Sequence, residues 1–393
     1  MKIVLLTPFF RPDNYGGAVQ VYENLCRDQD YEVHVICSKS KSVMDDDTYY
    51  KETGIKIHRV NDITFEFSSA FKMVRVFEFV SYLVTRKREI IKLIDRIEPD
   101  VVINGGVRWL SWLTKKIMKN YKVLNYIHGE ELSMIPRGVI AKWFFKEQNN
   151  GISIADLNIC VSSYTVGKVK EIAVDANVKV LTNFVDIKKY TPAKCLTEVK
   201  TKHDLCNKVS LITVCRLIKR KGIDDLLVAL AELIGEDFGT HIVLNVCGAG
   251  PELNILKTQA KSLGLENNVF FHGFTEDQVM LEMLQASDIF VMPNKTVDGD
   301  LEGFGLVFLE ANACGLPVIG GSSGGVVDAI SDNNSGILVE PGKKSELKDA
   351  IRLLILDEDV RHKFGRFGKE RAISEFSLEK KRLQFNSVLR NYV

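Results

Sequence analysis

Short apolar runs alternate along the chain with longer stretches in which apolar residues recur every three or four positions. The first pattern suits strands buried on both faces and the second suits helices packed on one side. In the first half, strands are expected near Ile3–Thr7, Val33–Cys37, Ile55–Val60, Val101–Asn104, Val123–His128 and Leu157–Ser162. Helical patterns follow Gly17, run from about Ser68 to Ile97, and follow Arg108. The second half repeats the theme, with strands near Leu211–Cys215, Ile242–Cys247, Val269–Phe271, Ile289–Met292, Val318–Ile319 and Ile337–Val339. Helices are expected near Ile223–Ile234, Glu252–Leu263, Glu276–Gln285, Gly305–Ala313 and Ser345–Ile355. Strand–helix alternation in two blocks predicts an α/β protein of two Rossmann-like, doubly wound parallel-sheet domains.

The break between the blocks is expected around Asp186–Lys208, which carries Pro192 and many lysines and lacks a sustained apolar period. This gives an N-terminal domain over residues 1–187, a linker over 188–208, a C-terminal domain over 209–376 and a last helix over 377–393. Ligands of open α/β sheets sit at the carboxyl ends of the strands, so both halves are expected to present their strand-end loops to one central cleft.

A length of 393 residues agrees with two cores rather than one. Hydrophobic residues at 46% and charged residues at 26% fit a globular protein and not a disordered one. The eight cysteines include no C-x-x-C pair. Cys37, Cys160, Cys215, Cys247 and Cys314 lie in apolar stretches and read as buried thiols, so a cytoplasmic setting is expected, without disulfides or a metal framework. The chain opens directly on a strand pattern, so no leader is expected. No apolar run approaches the ~18–20 residues that cross a bilayer. The net charge of +1 conceals an asymmetry. Residues 1–190 hold 28 Lys/Arg against 23 Asp/Glu, a balance of +5, and the remainder holds 24 against 28, a balance of −4. No basic run is dense enough to argue for a nucleic-acid partner.

Candidate chemistry lies at the strand ends. Glu302 and Glu310 stand eight positions apart, the first in an expected loop and the second two turns into an expected helix. Gly303, Phe304, Gly305 and Leu306 open that helix, and free N–H groups at a helix start suit a phosphate. Carboxylates beside it suit sugar hydroxyls, each of which has a proton to donate. Two solvated glutamates at a helix start would give the same spacing. Gly315 and Pro317 end the helix, and Val318-Ile319 opens a strand. Arg216 and Lys221 flank another strand-to-helix connection, where two cations can neutralise a diphosphate. Lys219 and Arg220, between them, read as solvated. Gly16 and Gly17 allow a close backbone approach after the first strand, and Gly250 does so after Ile242–Cys247, although plain turns fit as well. His128 closes Val123–His128, where a structural histidine is the common alternative. Glu130 and Glu131 read as helix-start charges.

The run from Glu302 to Gly325, with its Glu-x7-Glu spacing, Gly-x-Pro-Val exit and Ser323-Gly324-Gly325 turn, resembles the signature of the retaining family-four glycosyltransferases, which have the GT-B fold. The Arg216-x4-Lys221-Gly222 pattern, the Gly16-Gly17 loop and the place of His128 resemble that family too. The resemblance implies transfer of a hexose-type sugar from a UDP- or GDP-linked donor, with retention, to a glycan or lipid-linked acceptor in surface polysaccharide or glycolipid synthesis. It implies catalytic roles for Arg216, Lys221, Glu302 and His128. Donor-binding roles fall to Gly16, Gly17, Gly250, Gly303, Phe304, Gly305, Leu306 and Glu310. In this scheme Glu302 takes sugar hydroxyls and Glu310 the ribose diol. No metal and no other cofactor is expected. The last helix is expected to cross back to the first domain.

The acceptor is less legible. Residues 65–97 mix Phe65, Phe67, Phe71, Phe77 and Phe79 with Lys72, Arg75, Arg86, Lys87, Arg88 and Lys92. That pattern suits peripheral attachment to an anionic membrane surface, and it suits equally a core-packed helix with a solvated basic face. Three other functions fit parts of the pattern. A nucleotide-sugar epimerase is disfavoured by the Gly-x-Pro-Val exit, and a non-catalytic sugar-nucleotide sensor by the intact Arg216, Lys221 and Glu302. An NAD-dependent oxidoreductase is disfavoured by the lack of a G-x-G-x-x-G fingerprint.

Overall fold

The first sheet grows from apolar runs that bury both of their faces, and its strands are accordingly all parallel. A computed structural model describes the chain except residues 13–15, 40–44, 66–71, 134, 135, 137, 239 and 240; the side chains of 72–75, 237 and 238 also lie outside the description. It divides into two units. One comprises Met1–Leu181 with Lys381–Val393, and the other Thr182–Lys380.

The first unit holds β1 (Lys2–Leu6), β2 (Glu32–Ser38), β3 (Ile55–Val60), β4 (Val101–Asn104), β5 (Lys122–Ile127), β6 (Leu157–Cys160) and β7 (Val178–Val180). Their order is β3-β2-β1-β4-β5-β6-β7, so the winding reverses between β1 and β4. β7 was not expected from the sequence; its three residues are half-buried to exposed and carry no apolar run. Register places Asn104, Asn125 and Asn158 side by side on β4, β5 and β6. Asn104 Nδ2 donates to Asn125 Oδ1 at 3.1 Å, and Asn125 Nδ2 donates to Asn158 Oδ1 at 2.8 Å. Asn158 Nδ2 then donates to the Ile152 carbonyl at 3.0 Å, tying the ladder to helix Val139–Ile154. Every buried amide in this row has a partner, so the polar row fixes the register instead of weakening the core.

The second unit holds β8 (Val209–Val214), β9 (Ile242–Cys247), β10 (Val269–Gly273), β11 (Ile289–Met292), β12 (Val318–Gly321) and β13 (Gly336–Val339) in the order β10-β9-β8-β11-β12-β13. All are parallel, and the reversal falls between β8 and β11. Its core joins Leu211, Leu244 and Val291 of the strands to Leu226, Leu227 and Leu230 of helix Ile223–Leu233.

Residues 188–208, expected to be a linker, belong to the second unit. Helix Leu196–Lys202 lies within them, and Tyr190 and Leu205 are buried. Lys200 pairs with Asp288 at 2.8 Å, and Lys202 with Glu282 at 2.6 Å. The lysines that suggested a linker therefore hold this segment on its own domain. The chain passes between units after Leu181 and again after Lys380. The second passage carries helix Leu378–Arg390, whose residues from Lys381 onward cluster with the first unit. There Arg382 Nε donates to the Asn24 carbonyl at 2.7 Å, and the Tyr31 hydroxyl donates to Asn386 at 2.7 Å. All eight cysteines are free; Cys26 is buried along with the five expected, except that Cys215 is only half-buried.

Candidate active site

In the second unit, β8 ends at Val214 and the chain runs through Arg216 into a short helical turn, Lys219–Lys221. Gly222 follows at φ 70°, where a Cβ would lie 2.0 Å from the Pro293 carbonyl oxygen, so only glycine lets this turn pass β11 closely. Arg216 is exposed. Arg220 and Lys221 are buried at 8% exposure each. The expectation of a solvated Arg220 is therefore wrong: its guanidinium Nη1 donates to Glu302 Oε2 at 2.7 Å, and its Nε lies 3.2 Å from Asp300 Oδ2. Lys221 Nζ donates to the same Glu302 oxygen.

Glu302 is thus the centre of the site rather than a solvated loop residue. Burial pushes its carboxyl upward, but the charges of Lys221 and Arg220 and their hydrogen bonds outweigh it and hold the carboxyl below its ordinary value. Both cations reach Oε2 and neither reaches Oε1. The backbone is held as firmly. Gly325 N–H donates to the Glu302 carbonyl at 2.9 Å, and Gly324, at φ 61°, would place a Cβ 2.1 Å from that same oxygen.

Helix Leu306–Ala313 starts at Gly305, whose φ is 87°. Phe304 is 2% exposed and its ring lies 6.1 Å from that of Phe376, so its side chain is core and only its N–H remains for a ligand. Glu310 is buried, and the hydroxyl of Tyr190 is hydrogen-bonded to it. Burial and the Glu310 charge both push the Tyr190 hydroxyl upward, so it stays a proton donor. Sequence reasoning missed Tyr190 because it stood in the presumed linker. Gly250 has a packing reason: its Cβ would fall 2.3 Å from the Leu217 carbonyl oxygen, where the two loops bond through Leu217 N–H and the Ala249 carbonyl.

In the first unit His128 follows β5. Its ring lies 5.1 Å from Tyr22 and 5.2 Å from Tyr126, and its Nε2 is buried without a hydrogen-bond partner. Burial pulls His128 down to about 4, so near neutral pH it acts as a neutral hydrogen-bonding group and not as a cation. Glu131, read as a helix-start charge, is pushed up to about 7 by burial and takes the His128 N–H at 2.9 Å. Gly16 and Gly17 are exposed, and Gly16 sits at φ −64°, a conformation open to other residues. Asp13, Asn14 and Tyr15 of the same loop lie outside the described residues.

Among the described residues no group of three or more His, Cys, Asp or Glu side chains is gathered to hold a metal ion. The triplet Asp298-Gly299-Asp300 has the Asp-x-Asp spacing, but Asp300 is engaged with Arg220.

Residues 15–189 match the family described as Glycosyltransferase Family 4, and residues 198–371 match Glycosyl transferases group 1. A GDP-mannose-dependent monoacylated alpha-(1-6)-phosphatidylinositol monomannoside mannosyltransferase of Corynebacterium glutamicum is 31% identical over 266 residues, 66% of this chain and 67% of that protein. The chain belongs to the family-four glycosyltransferases. A GDP-mannose-dependent alpha-(1-6)-phosphatidylinositol monomannoside mannosyltransferase of Mycobacterium tuberculosis is 30% identical over 255 residues, and the matched stretch spans 64% of that relative's length and 63% of this chain. Anabaena HepE, crystallised with UDP, superposes with a TM-score of 0.81 at 20% identity over 100% of both chains. Sucrose-phosphate synthase of Thermosynechococcus elongatus gives 0.80 at 18% identity, covering 99% of this chain and 98% of that one. At such identities these likenesses establish the fold of this family-four chain, which is GT-B.

Proposed function

We propose that this family-four glycosyltransferase moves a hexose-type sugar from a UDP- or GDP-linked donor to a glycan or lipid-linked acceptor, with retention and without a metal. The observation that carries this reading is Glu302: a buried, ionised carboxylate with Oε2 held by two cations and Oε1 left to them untouched. A carboxylate so held accepts hydrogen bonds from sugar hydroxyls without moving when the sugar arrives. Lys221 has three N–H donors and spends one on Glu302, so the others can reach a departing diphosphate. Exposed Arg216 and the N–H groups of Phe304 to Leu306 supply the rest of that charge stabilisation. Attack takes place on the face the diphosphate leaves, and the leaving phosphate takes the acceptor proton. The relatives named above use GDP-mannose, and HepE was crystallised with UDP; these names support a nucleoside diphosphate-sugar and leave the base open.

A thermal-shift panel of UDP, GDP, ADP and their sugars tests the reading. A ligand at ~100-fold its Kd stabilises the native state by about 2.7 kcal/mol, and a panel with no shift would remove the proposal. Product analysis with a radiolabelled donor then separates transfer to an acceptor from the formation of free epimerised sugar. Tyr190→Phe removes the hydroxyl on Glu310. It is expected to weaken nucleoside diphosphate binding by about fivefold, in line with one lost hydrogen bond of ~1 kcal/mol. Unchanged affinity, read by calorimetry, would separate Glu310 from the ribose.

The lipid-linked class of acceptor is favoured by helix Lys72–Ile97. Val76, Phe77, Val80 and Val84 are exposed on it, Phe77 at 75%, and exposed Lys87 and Arg88 follow. Arg86, expected on the basic face, is buried and paired with Glu89. Phe79 is also turned inward, its ring 5.2 Å from Trp143 and 5.9 Å from Phe144. Phe67 and Phe71 lie outside the described residues. Aliphatic and aromatic groups next to exposed cations suit an anionic bilayer, which attracts each basic residue by ~1 kcal/mol. The protein should pellet with vesicles containing phosphatidylserine and be released by salt, and Lys87→Glu with Arg88→Glu should abolish pelleting. Wild type left in the supernatant at low salt would exclude the membrane surface. No helix of the described residues is long and apolar enough to cross a membrane.

A further inference from the structure

We propose that Arg220 is the positioning residue that aims Glu302 at the donor sugar, with the Val297–Asp300 hairpin as its anchor. The inference rests on the reading of Glu302 as a sugar-contacting group. Arg220 lies between two carboxylates, with Nη1 2.7 Å from Glu302 Oε2 and Nε 3.2 Å from Asp300 Oδ2. A guanidinium is planar and rigid, so its Nη1 hydrogen bond fixes the direction of Glu302, while Asp300 holds the Nε edge by charge, at ion-pair distance and without a hydrogen bond. The ammonium of Lys221 is a point charge on a flexible stem and holds an oxygen without orienting it.

The anchor is itself set by backbone. Val297 and Asp300 exchange both N–H groups with each other's carbonyls, at 2.9 and 2.8 Å. The two residues between them, Asp298 at φ 51° and Gly299 at φ 82°, are those of a tight two-residue hairpin turn. The Arg220 carbonyl accepts the Lys295 N–H at 2.7 Å, so the turn carrying the guanidinium and the segment leading from β11 to the hairpin are joined by backbone as well. Lys295 is in turn gripped by Asp224 and Asp225 at 2.8 and 2.7 Å. Asp300, Arg220 and Glu302 thus form a chain of contacts whose first member is fixed at its backbone and whose last presents Oε1. A sugar hydroxyl is read by direction, and epimers differ only in that direction. The fork of Arg220 therefore contributes selectivity between epimeric donors, a property that overall charge at the site does not supply.

The test uses the full chain and whichever of UDP or GDP shifts its melting. Affinities are measured for the bare nucleoside diphosphate and for two of its sugar conjugates that differ at one hydroxyl, UDP-glucose and UDP-galactose or GDP-mannose and GDP-glucose. kcat/KM is measured for both conjugates across pH. Arg220→Lys keeps a charge and loses the fork. It should leave nucleoside diphosphate affinity within twofold and the acid limb of kcat/KM in place, while selectivity between the epimers falls about tenfold, the effect of one misdirected hydrogen bond to a charged group. Arg220→Ala should lose the same selectivity and also move the acid limb to higher pH, because a carboxylate that loses a cation is protonated more readily. Asp300→Asn, a change at a half-exposed side chain, should lower selectivity without moving the acid limb, and it carries the test if Arg220→Ala does not fold. Wild-type selectivity and pH profile in Arg220→Lys and Asp300→Asn would overturn the inference. A wild type that binds the nucleotide sugars and fails to transfer them would instead remove the proposed function, and epimer selectivity in binding alone would still decide the role of Arg220.

Discussion

Glu302→Ala is expected to destabilise the second unit by about 3–5 kcal/mol, because it leaves two buried cations, Arg220 and Lys221, without their shared carboxylate. Most of that is the cost of stranded charge rather than the net worth of the pair, so Glu302→Ala with Arg220→Met and Lys221→Met should recover much of it. Turnover should fall by ~10²-fold or more in the same variant and should not recover in the triple variant, since the sugar-contacting group is gone in both. Stability read by urea unfolding and transfer read by labelled product are therefore expected to separate. A pH dependence accompanies this. Glu302 is held below its ordinary value of 4.5, so its contribution to stability is fully present above that pH and is lost as pH falls through the lower folded value. The wild type should lose that component on acidification, and the variant, which lacks it from the start, should show a flatter acid side. A loss smaller than about 1 kcal/mol would mean the two cations are solvated, as surface pairs are.

What the sequence disclosed of this site, and what it withheld, follows from where each contact lies along the chain. The Glu302–Glu310 spacing, the glycines and the Gly-Leu-Pro-Val exit are local, and local chemistry is legible. The burial of Arg220 is not local: it depends on Asp300 and Glu302, some eighty positions downstream, and within its own run of Lys219-Arg220-Lys221 it has the ordinary look of solvated charge. Tyr190 was hidden for a related reason. Lysine and proline around it suggested a linker, and only the fold shows those lysines bonded to Asp288, Glu282 and Asp277 on the second unit. Glu131 and His128 differ again. Their residue types were visible, but the burial that pulls one down to about 4 and pushes the other up to about 7 is a property of the packed interior.

The architecture was more accessible than the site. Twelve of the thirteen strands among the described residues were legible because parallel strands covered on both faces are apolar almost throughout: β4, β9 and β11 are buried along their whole length, and only Asn104 of β4 and Asn245 of β9 interrupt their apolar runs. β7 escaped for the converse reason, being an edge strand of three residues with only one neighbour. The order of strands in each sheet was not legible in detail, but the reversal points between β1 and β4 and between β8 and β11 are what the doubly wound pattern requires. The second of these places the ends of β8 and β11 together, and from those two ends come Lys221 and the segment leading to Glu302.

Arg216→Ala is expected to lower turnover by ~10²-fold or more while leaving thermal unfolding within the scatter of a surface change, about 0.5 kcal/mol. The two halves of this expectation have separate grounds. Arg216 is exposed and stands on the connection after β8, so folding does not depend on its side chain. It is also one residue from Cys215, a thiol that burial pushes up and that feels the charges of Lys221, Glu302 and Arg220, which places the Arg216 backbone beside that cluster. Of the four cations on this connection, Arg220 and Lys221 are bound to Glu302 and held inward, Lys219 is an exposed point charge, and Arg216 is free to turn its fork toward an arriving diphosphate. Its loss should therefore appear mainly in kcat, where charge on the leaving group is greatest, and less in the affinity for the bare nucleotide. Arg216→Lys should recover only part of the rate, since a point charge reaches one phosphate oxygen where a fork reaches two. Wild-type turnover in Arg216→Ala would transfer the leaving-group role to Lys221 and the helix start at Gly305 alone.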